Sequence, residues 1–187
     1  MTAVLPRPAG AGTPDRSEAV LPRLAGAGGP DRAEVGFRRV EPADLEAVRA
    51  FLAGLSLDSA YRRFFTGIGS PSSTLVRRLV EVDHQRRSAV LALAGGEVIG
   101  MADTAVLADD VTVELGVVVA DAWQRKGIGP RLVAAALAPA AARGCTTLLV
   151  YTLPDNARVA RMLRRRWPGA GPARDGDCLV WTLPLPR

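Results

Sequence analysis

VTVELGVVVADAWQRKGIGPRLVAAAL, Val111 to Leu137, reads as a buried β-strand, a glycine-rich turn and a helix, in that order. Val111 to Val119 is rich in β-branched residues and broken only by the acid Glu114 and the flexible Gly116, which suits an inner strand better than a helix. QRKGIG, Gln124 to Gly129, then turns the chain into the helix. Gly127 and Gly129 let backbone come close to a ligand, and the opening helical turn leaves N–H groups unpaired at the positive end of the helix dipole. Such a cradle suits a phosphate.

The glycine spacing is neither the G-x-G-x-x-G of dinucleotide sites nor the G-x-x-x-x-G-K-[ST] of P-loops. It is Q-x-x-G-x-G, directly after a strand and a short DAW connection. In that setting it resembles the acetyl-CoA-binding motif of the GNAT superfamily of N-acetyltransferases, and the resemblance runs over roughly residues 34 to 184. It implies an α/β (α+β) chain with a single GNAT domain. Its mixed central sheet has six to seven strands, is flanked by about four helices and is splayed at the acetyl-CoA site.

Composition bounds the rest. At 187 residues and 48% hydrophobic, the chain fits one domain with a short appendage. No apolar run reaches the roughly 18 residues that span a bilayer, so a cytoplasmic protein without a membrane partner is expected. A net charge of +5 invites nucleic acid, yet aromatics are only 5% and no zinc-finger, cold-shock or RRM signature occurs, so no nucleic-acid partner is expected. A basic surface also attracts CoA phosphates or an acidic protein. Lys126, inside the glycine motif, is the single lysine, and the Arg, Ala, Gly and Pro bias points to a GC-rich bacterial genome. Cys145 and Cys178 lack C-x-x-C spacing and read as small residues in a reducing compartment. With His84 the only histidine, on a surface connection, the chain offers no His-metal cluster and no Ser-His-Asp arrangement, and no metal is expected.

Residues 4–19, VLPRPAGAGTPDRSEA, nearly repeat as VLPRLAGAGGPDRAEV at 20–35. Two copies are too few for a solenoid, and their Pro, Gly, Ala and charged residues leave little to bury. Residues 1–33 therefore read as a flexible leader and 34–187 as the folded domain. VGFRRV, Val35 to Val40, alternates as a first strand; Glu41 to Asp44 starts a helix with Leu45, Val48, Phe51, Leu52 and Leu55 as core candidates. LSLDSAYRRFF, Leu55 to Phe65, reads as a second helix with Tyr61, Phe64 and Phe65 inward and Arg62 and Arg63 outward. Thr74 to Val82 reads as a helix, Ser88–Ala94 and Glu97–Leu107 as a hairpin about Gly95-Gly96, and Gly129–Arg143 as the long helix. Thr146–Leu153 is a strand. Asp155-Asn156 opens a helix bearing Arg158, Arg161, Arg164, Arg165 and Arg166, which form a solvated face or meet a CoA phosphate or acidic partner. The turn-rich PGAGPARDGD precedes a last strand, CLVWTLPL.

Acetyl transfer to an amine needs a held donor, a neutral amine and a stabilised oxyanion. The resemblance assigns donor binding to Val117, Val118 and Val119, whose open strand edge meets the pantetheine amides, and to Gln124, Arg125, Lys126, Gly127, Ile128, Gly129, Pro130 and Arg131 at the pyrophosphate. Asn156 contacts the CoA arm or ordered water, or caps its helix. Within the superfamily the segment L-S-x-x-S-x-Y-x-R-F-F is similar to Pat-type bacterial protein-lysine acetyltransferases. That places Tyr61, Arg63, Phe64 and Phe65 on the acceptor side, although Leu57-Asp58 replaces the usual Pro-Glu.

A lysine of pKa about 10.4 needs a base near neutral pH. Glu114 matches the glutamate of the Pat-type E-x-A-x-x-V motif, which implies a catalytic base acting through water. A carboxylate in an apolar strand has a raised pKa and is the better base for it. Its alternative is an edge-strand acid paired with an arginine.

Three positions depart from the pattern. Pro130 removes a donor from the cradle, Leu163 stands where many members carry a general-acid tyrosine, and RRRWPGA replaces a G-F ending. The reading is thus acetyl transfer from acetyl-CoA to a protein lysine ε-amine, with an AMP-forming acyl-CoA synthetase as the acceptor partner. A small-molecule amine acetyltransferase and a non-catalytic CoA-binding module are the alternatives.

Overall fold

The computed structural model describes residues 34–65 and 71–185. The duplicated leader, residues 1–33, lies outside them. Seven strands form one sheet in the order β1-β2-β3-β4-β5-β7-β6. They are β1 (Val35–Arg39), β2 (Arg87–Ala94), β3 (Glu97–Val106), β4 (Thr112–Val119), β5 (Thr147–Thr152), β6 (Ala173–Asp175) and β7 (Cys178–Pro184). The helices are α1 (Leu45–Ala53), α2 (Leu57–Phe64), α3 (Ser73–Val80), α4 (Ile128–Ala142) and α5 (Ala157–Arg166).

Every neighbouring pair is antiparallel except β4 and β5, which run parallel because the whole of α4 connects them. The β2–β3 hairpin turns at Gly95 and Gly96, both at positive φ (58° and 86°), a conformation in which a side chain would be strained.

Apolar side chains leave the sheet on both faces and make two cores. On one face Leu132, Ala136, Leu137 and Ala140 of α4 and Ala160 and Leu163 of α5 pack on Val113, Leu115, Leu148, Trp181 and Leu183. On the other, Val48, Phe51 and Leu52 of α1 and Val76, Leu79 and Val80 of α3 pack on Leu91, Met101 and Val118. The core candidates of α1 are borne out: Val48, Phe51 and Leu52 are buried, and Leu45 and Leu55 pack partly buried against them.

Three expectations are corrected. A 3-10 turn, Pro42–Asp44, precedes α1. There Asp44 accepts from the Glu41 N–H (2.8 Å) and from Arg38 (2.6 and 2.7 Å), so the buried carboxylate is spent on capping and pairing. The turn-rich segment before the last strand contains β6, a three-residue edge strand too short to carry a periodic signal. Tyr61 points outward at 46% exposure, whereas Arg63 turns inward, the reverse of the amphipathic assignment for α2. The reason lies on the sheet, where Asp103 of β3 offers Arg63 a carboxylate.

Candidate active site

β4 supplies the centre. It pairs with β3 along its length, from Val113 opposite Val106 to Val119 opposite Gly100. Its parallel pairing with β5 stops at Glu114 opposite Leu149, while β5 continues to pair with β7 as far as Thr152 opposite Leu179. The two halves of the sheet therefore part beyond Glu114. Ala120 donates its N–H to Ile99 (2.9 Å), so by strand alternation Val118 and Gly116 also aim their backbone groups at β3. Those of Val117 and Val119 face the open edge. Val117 is 37% exposed there, and Val118 is buried in the core against α1 and α3.

The Glu114 side chain lies on the α2–α3 face, opposite to Val113 and Leu115, and a Cβ on Gly116 would point to the same face. Asp103 stands directly across from Gly116, so it shares that face two residues from Glu114. Arg63 lies over Gly116 and pairs with Asp103. The Glu114 carboxylate makes no hydrogen bond, and no ion pair within 4 Å, among the described residues, which disfavours the paired edge-acid alternative. Burial pushes its carboxyl up from the usual value, Asp103 adds to the rise, and Arg63 and Arg78 oppose it.

A cavity of about 330 Å³ opens around Glu114, lined also by Phe64, Phe65, Val117, Tyr151 and Asn156. Tyr61 is not among its walls. Tyr151 was not expected. Pairing puts Leu149 opposite Glu114, and two residues on, Tyr151 returns to the same face across the gap. Burial, then the Glu114 charge, raises its phenol pKa. Period-two alternation in TTLLVYTL assigns Tyr151 a face but not which one, because that depends on the β4–β5 register.

At the other end of β4, the Q-x-x-G-x-G turn is built on α2. Asp121 accepts from the Ser56 N–H (3.0 Å), Ser56 Oγ (2.8 Å) and Ser59 Oγ (2.7 Å), and Gln124 Nε2 donates to Ser59 Oγ (3.0 Å) and the Val119 carbonyl (3.2 Å). Burial pushes the Asp121 carboxyl up, but these bonds outweigh it and hold it below its ordinary value. The two serines of L-S-x-x-S thus moor the helix to the turn, and Gln124 is occupied in the same knot. Its backbone N–H also goes to Asp121 (3.3 Å), so the cradle left for an anion runs from Arg125 to Gly129.

Arg125 and Gly127 adopt positive φ (63° and 78°), and Gly127 is the N-cap of α4 without any capping side chain. A Cβ built on Gly129 meets nothing within 4 Å, so that face is open to a ligand. Ile128 is buried beneath the cradle and Pro130 is exposed. Lys126 sits over Trp123 (4.8 Å) and Arg131 over Phe37 (4.4 Å).

Asn156 caps α5 by accepting from the Val159 N–H (3.3 Å). Beside it Asp155 takes Arg62 of α2 (3.2 Å), which joins the helix to the far side of the gap. The α5 arginines are all exposed; Arg164 covers Trp181 (5.4 Å) and Arg166 covers Trp167 (5.5 Å). Leu163 is buried in the core and cannot be an acid. His84, on the connection before β2, reaches the Val40 carbonyl (3.0 Å). Both cysteines are free. Among the described residues no helix is long and apolar enough to cross a membrane and no cluster of three or more His, Cys, Asp or Glu is arranged for a metal.

Because Arg63 lies over Gly116, a Cβ there would fall within the guanidinium's van der Waals radius. Gly116→Ala is expected to push Arg63 off Asp103, costing at most about 1 kcal/mol of stability for a partly exposed pair. Denaturant midpoints check this; a midpoint equal to that of the native protein would show that the Arg63–Asp103 pair adds nothing to the fold.

Residues 54–166 match the model of the acetyltransferase (GNAT) family. The fold is similar to that of the GNAT domain of S. lividans PAT, with a TM-score of 0.73 and 24% identity over 80% of this chain and 89% of that one. It is also similar to the PaiA N-acetyltransferase of Thermoplasma acidophilum in complex with coenzyme A, with a TM-score of 0.65 and 17% identity over 81% of this chain and 99% of that one. A cAMP-binding acyltransferase from Mycobacterium smegmatis is 25% identical with a TM-score of 0.54; the match covers 82% of this chain and 43% of that longer one. The family match spans more than half of the chain and coincides with the parted sheet and the uncapped glycine turn, so the chain belongs to the GNAT family and is an acetyl-CoA-dependent N-acetyltransferase.

Proposed function

We propose that the acceptor is a lysine ε-amine of a protein and that Glu114 is the general base. The observation that carries this reading is Glu114 itself, a half-buried carboxylate without an ion-pair partner among the described residues, on the floor of a cavity that also reaches the open edge of Val117. The donor-side residues fit acetyl-CoA: among the described residues nothing caps the cradle from Arg125 to Gly129 with a side chain, and none comes within 4 Å of a Cβ placed on Gly129. When bound, acetyl-CoA supplies a thioester that an amine attacks.

The chain's own residues then divide the work. Glu114 takes the proton from the amine, directly or through water, and its raised pKa brings its basicity closer to the task. The Val117 N–H, already oriented at the open edge, donates to the oxygen on which charge develops. Arg63, held by Asp103, keeps a positive charge near the carboxylate and opposes the rise that burial and Asp103 impose on its pKa. Phe64 and Phe65 line the cavity and suit the apolar stem of a lysine.

An AMP-forming acyl-CoA synthetase is the acceptor to test first, as the Pat-type resemblance implies. The synthetase is incubated with acetyl-CoA and the enzyme, CoA release is followed, and the modified residue is mapped by mass spectrometry. Acetylation of one lysine at a rate that depends on the enzyme is the expected result. CoA release with small amines and none with any protein would overturn the protein-lysine reading and leave the acetyltransferase intact.

A further inference from the structure

The acceptor side of the cavity carries more positive charge than its carboxylates neutralise. Arg87, the first residue of β2, and Arg78, on α3, line the cavity beside Arg63 and Glu114. Arg87 donates to the backbone carbonyl of Arg78, and the Arg78 charge acts on the Arg87 guanidinium in the same cavity. That bond uses one of the five N–H donors of the guanidinium. Neither arginine has a carboxylate within 4 Å among the described residues.

Of the nearby acids, Glu114 makes no ion pair within 4 Å among the described residues and the other two are engaged. Asp103 holds Arg63, and Asp83 accepts from the backbone N–H groups of Gln85 and Arg87 (both 2.8 Å). Residues 66–70, TGIGS, contain no acid. Burial, and then the charge of Arg78, push Arg87 below its ordinary pKa, against the smaller opposing pull of Asp103 and Asp83. A partly desolvated cation, Arg87, with a second, exposed one beside it at the cavity wall favours an anion brought by the ligand.

We propose that Arg78 and Arg87 form an anion subsite of the acceptor cavity, and that the acceptor lysine is flanked in its own chain by an aspartate or glutamate whose carboxylate binds there. This rests on the protein-lysine reading. It adds a sequence preference that the acetyl-transfer chemistry alone does not require, since neither Glu114 nor the Val117 amide discriminates the residues beside the lysine.

The test uses short lysine peptides in which one glutamate is scanned through the positions on either side of the acceptor, each with a glutamine counterpart. kcat/KM is measured for the full-length enzyme and for Arg78→Gln, Arg87→Gln and Arg87→Lys. At the favoured position glutamate is expected to exceed glutamine by about tenfold, the scale of one charge-assisted hydrogen bond, with the difference in KM. Arg87→Gln should abolish the preference and Arg87→Lys restore part of it. Arg78 is exposed, so Arg78→Gln keeps the test valid should the Arg87 variants fold poorly.

Equal kcat/KM for every glutamate and glutamine pair, or a preference that survives Arg78→Gln and Arg87→Gln, overturns the subsite while the protein-lysine reading stands. If no peptide is acetylated but free amino-carboxylates are, in an Arg78- or Arg87-dependent way, the anion subsite stands and the protein-lysine reading falls.

Discussion

Glu114→Gln is expected to lower kcat for acetyl transfer by about 10²–10⁴-fold, the usual contribution of a positioned general base, with little change in acetyl-CoA binding. The substitution keeps the side-chain shape and removes only the basic oxygen. In the native enzyme kcat/KM should rise with pH along two limbs, one from the acceptor amine and one from Glu114. The second lies above the ordinary carboxylate range, because burial and the neighbouring Asp103 raise the Glu114 pKa. The variant should lose that limb and keep the amine's.

Stability should move the other way. A carboxyl whose folded pKa is raised disfavours the folded state above that pKa and not below the unfolded one. Glu114→Gln should therefore be slightly more stable than the native protein at neutral pH, and the advantage should vanish as pH falls through the unfolded value. Denaturant midpoints measured across that range give the sign. A variant that keeps more than about a tenth of native kcat, against the loss expected for a base, would remove Glu114 from the mechanism.

The largest stability effect is expected at Trp181. It is fully buried on β7, and its Nε1 donates to Thr152 Oγ1 (3.0 Å) at the end of β5. Trp181→Ala should cost about 3–5 kcal/mol, through lost transfer energy and the cavity left behind. That is a large share of the 5–15 kcal/mol of a typical domain. Trp181→Phe refills most of the volume and leaves Thr152 without its donor, so about 1 kcal/mol is expected.

The functional readout follows from position. Trp181 sits opposite Val150, in the stretch of β5 that has left β4, so it braces one lip of the gap. Trp181→Phe should weaken acetyl-CoA binding measurably at a temperature where the variant is fully folded. Unchanged affinity would mean that the gap is held open from the β4 side alone.

What was legible in the residues was local. The β-branched run of β4, the glycines of the following turn and the apolar spacing of α4 each signal their state within a few positions, because periodicity and backbone freedom are properties of neighbours along the chain. The N-cap of α5 at Asn156 was readable for the same reason. α4 even runs through Pro139 to Ala142, since a proline near the last turn removes only one bond.

The sequence by itself thus determined the element order apart from β6, the glycine turn that opens α4 and the family motif around Glu114. Only the tertiary structure decided which groups meet. Tyr151 reaches the Glu114 face through the β4–β5 register, Arg63 turns inward because Asp103 waits on a strand 40 residues away, and Ser56 and Ser59 moor the turn through Asp121, 65 and 62 residues on. A helix's hydrophobic pattern says which side is apolar, but not which charge stands opposite an inward arginine. That partner is set by strand pairing and sheet packing, whose free energies depend on residues far apart in the chain.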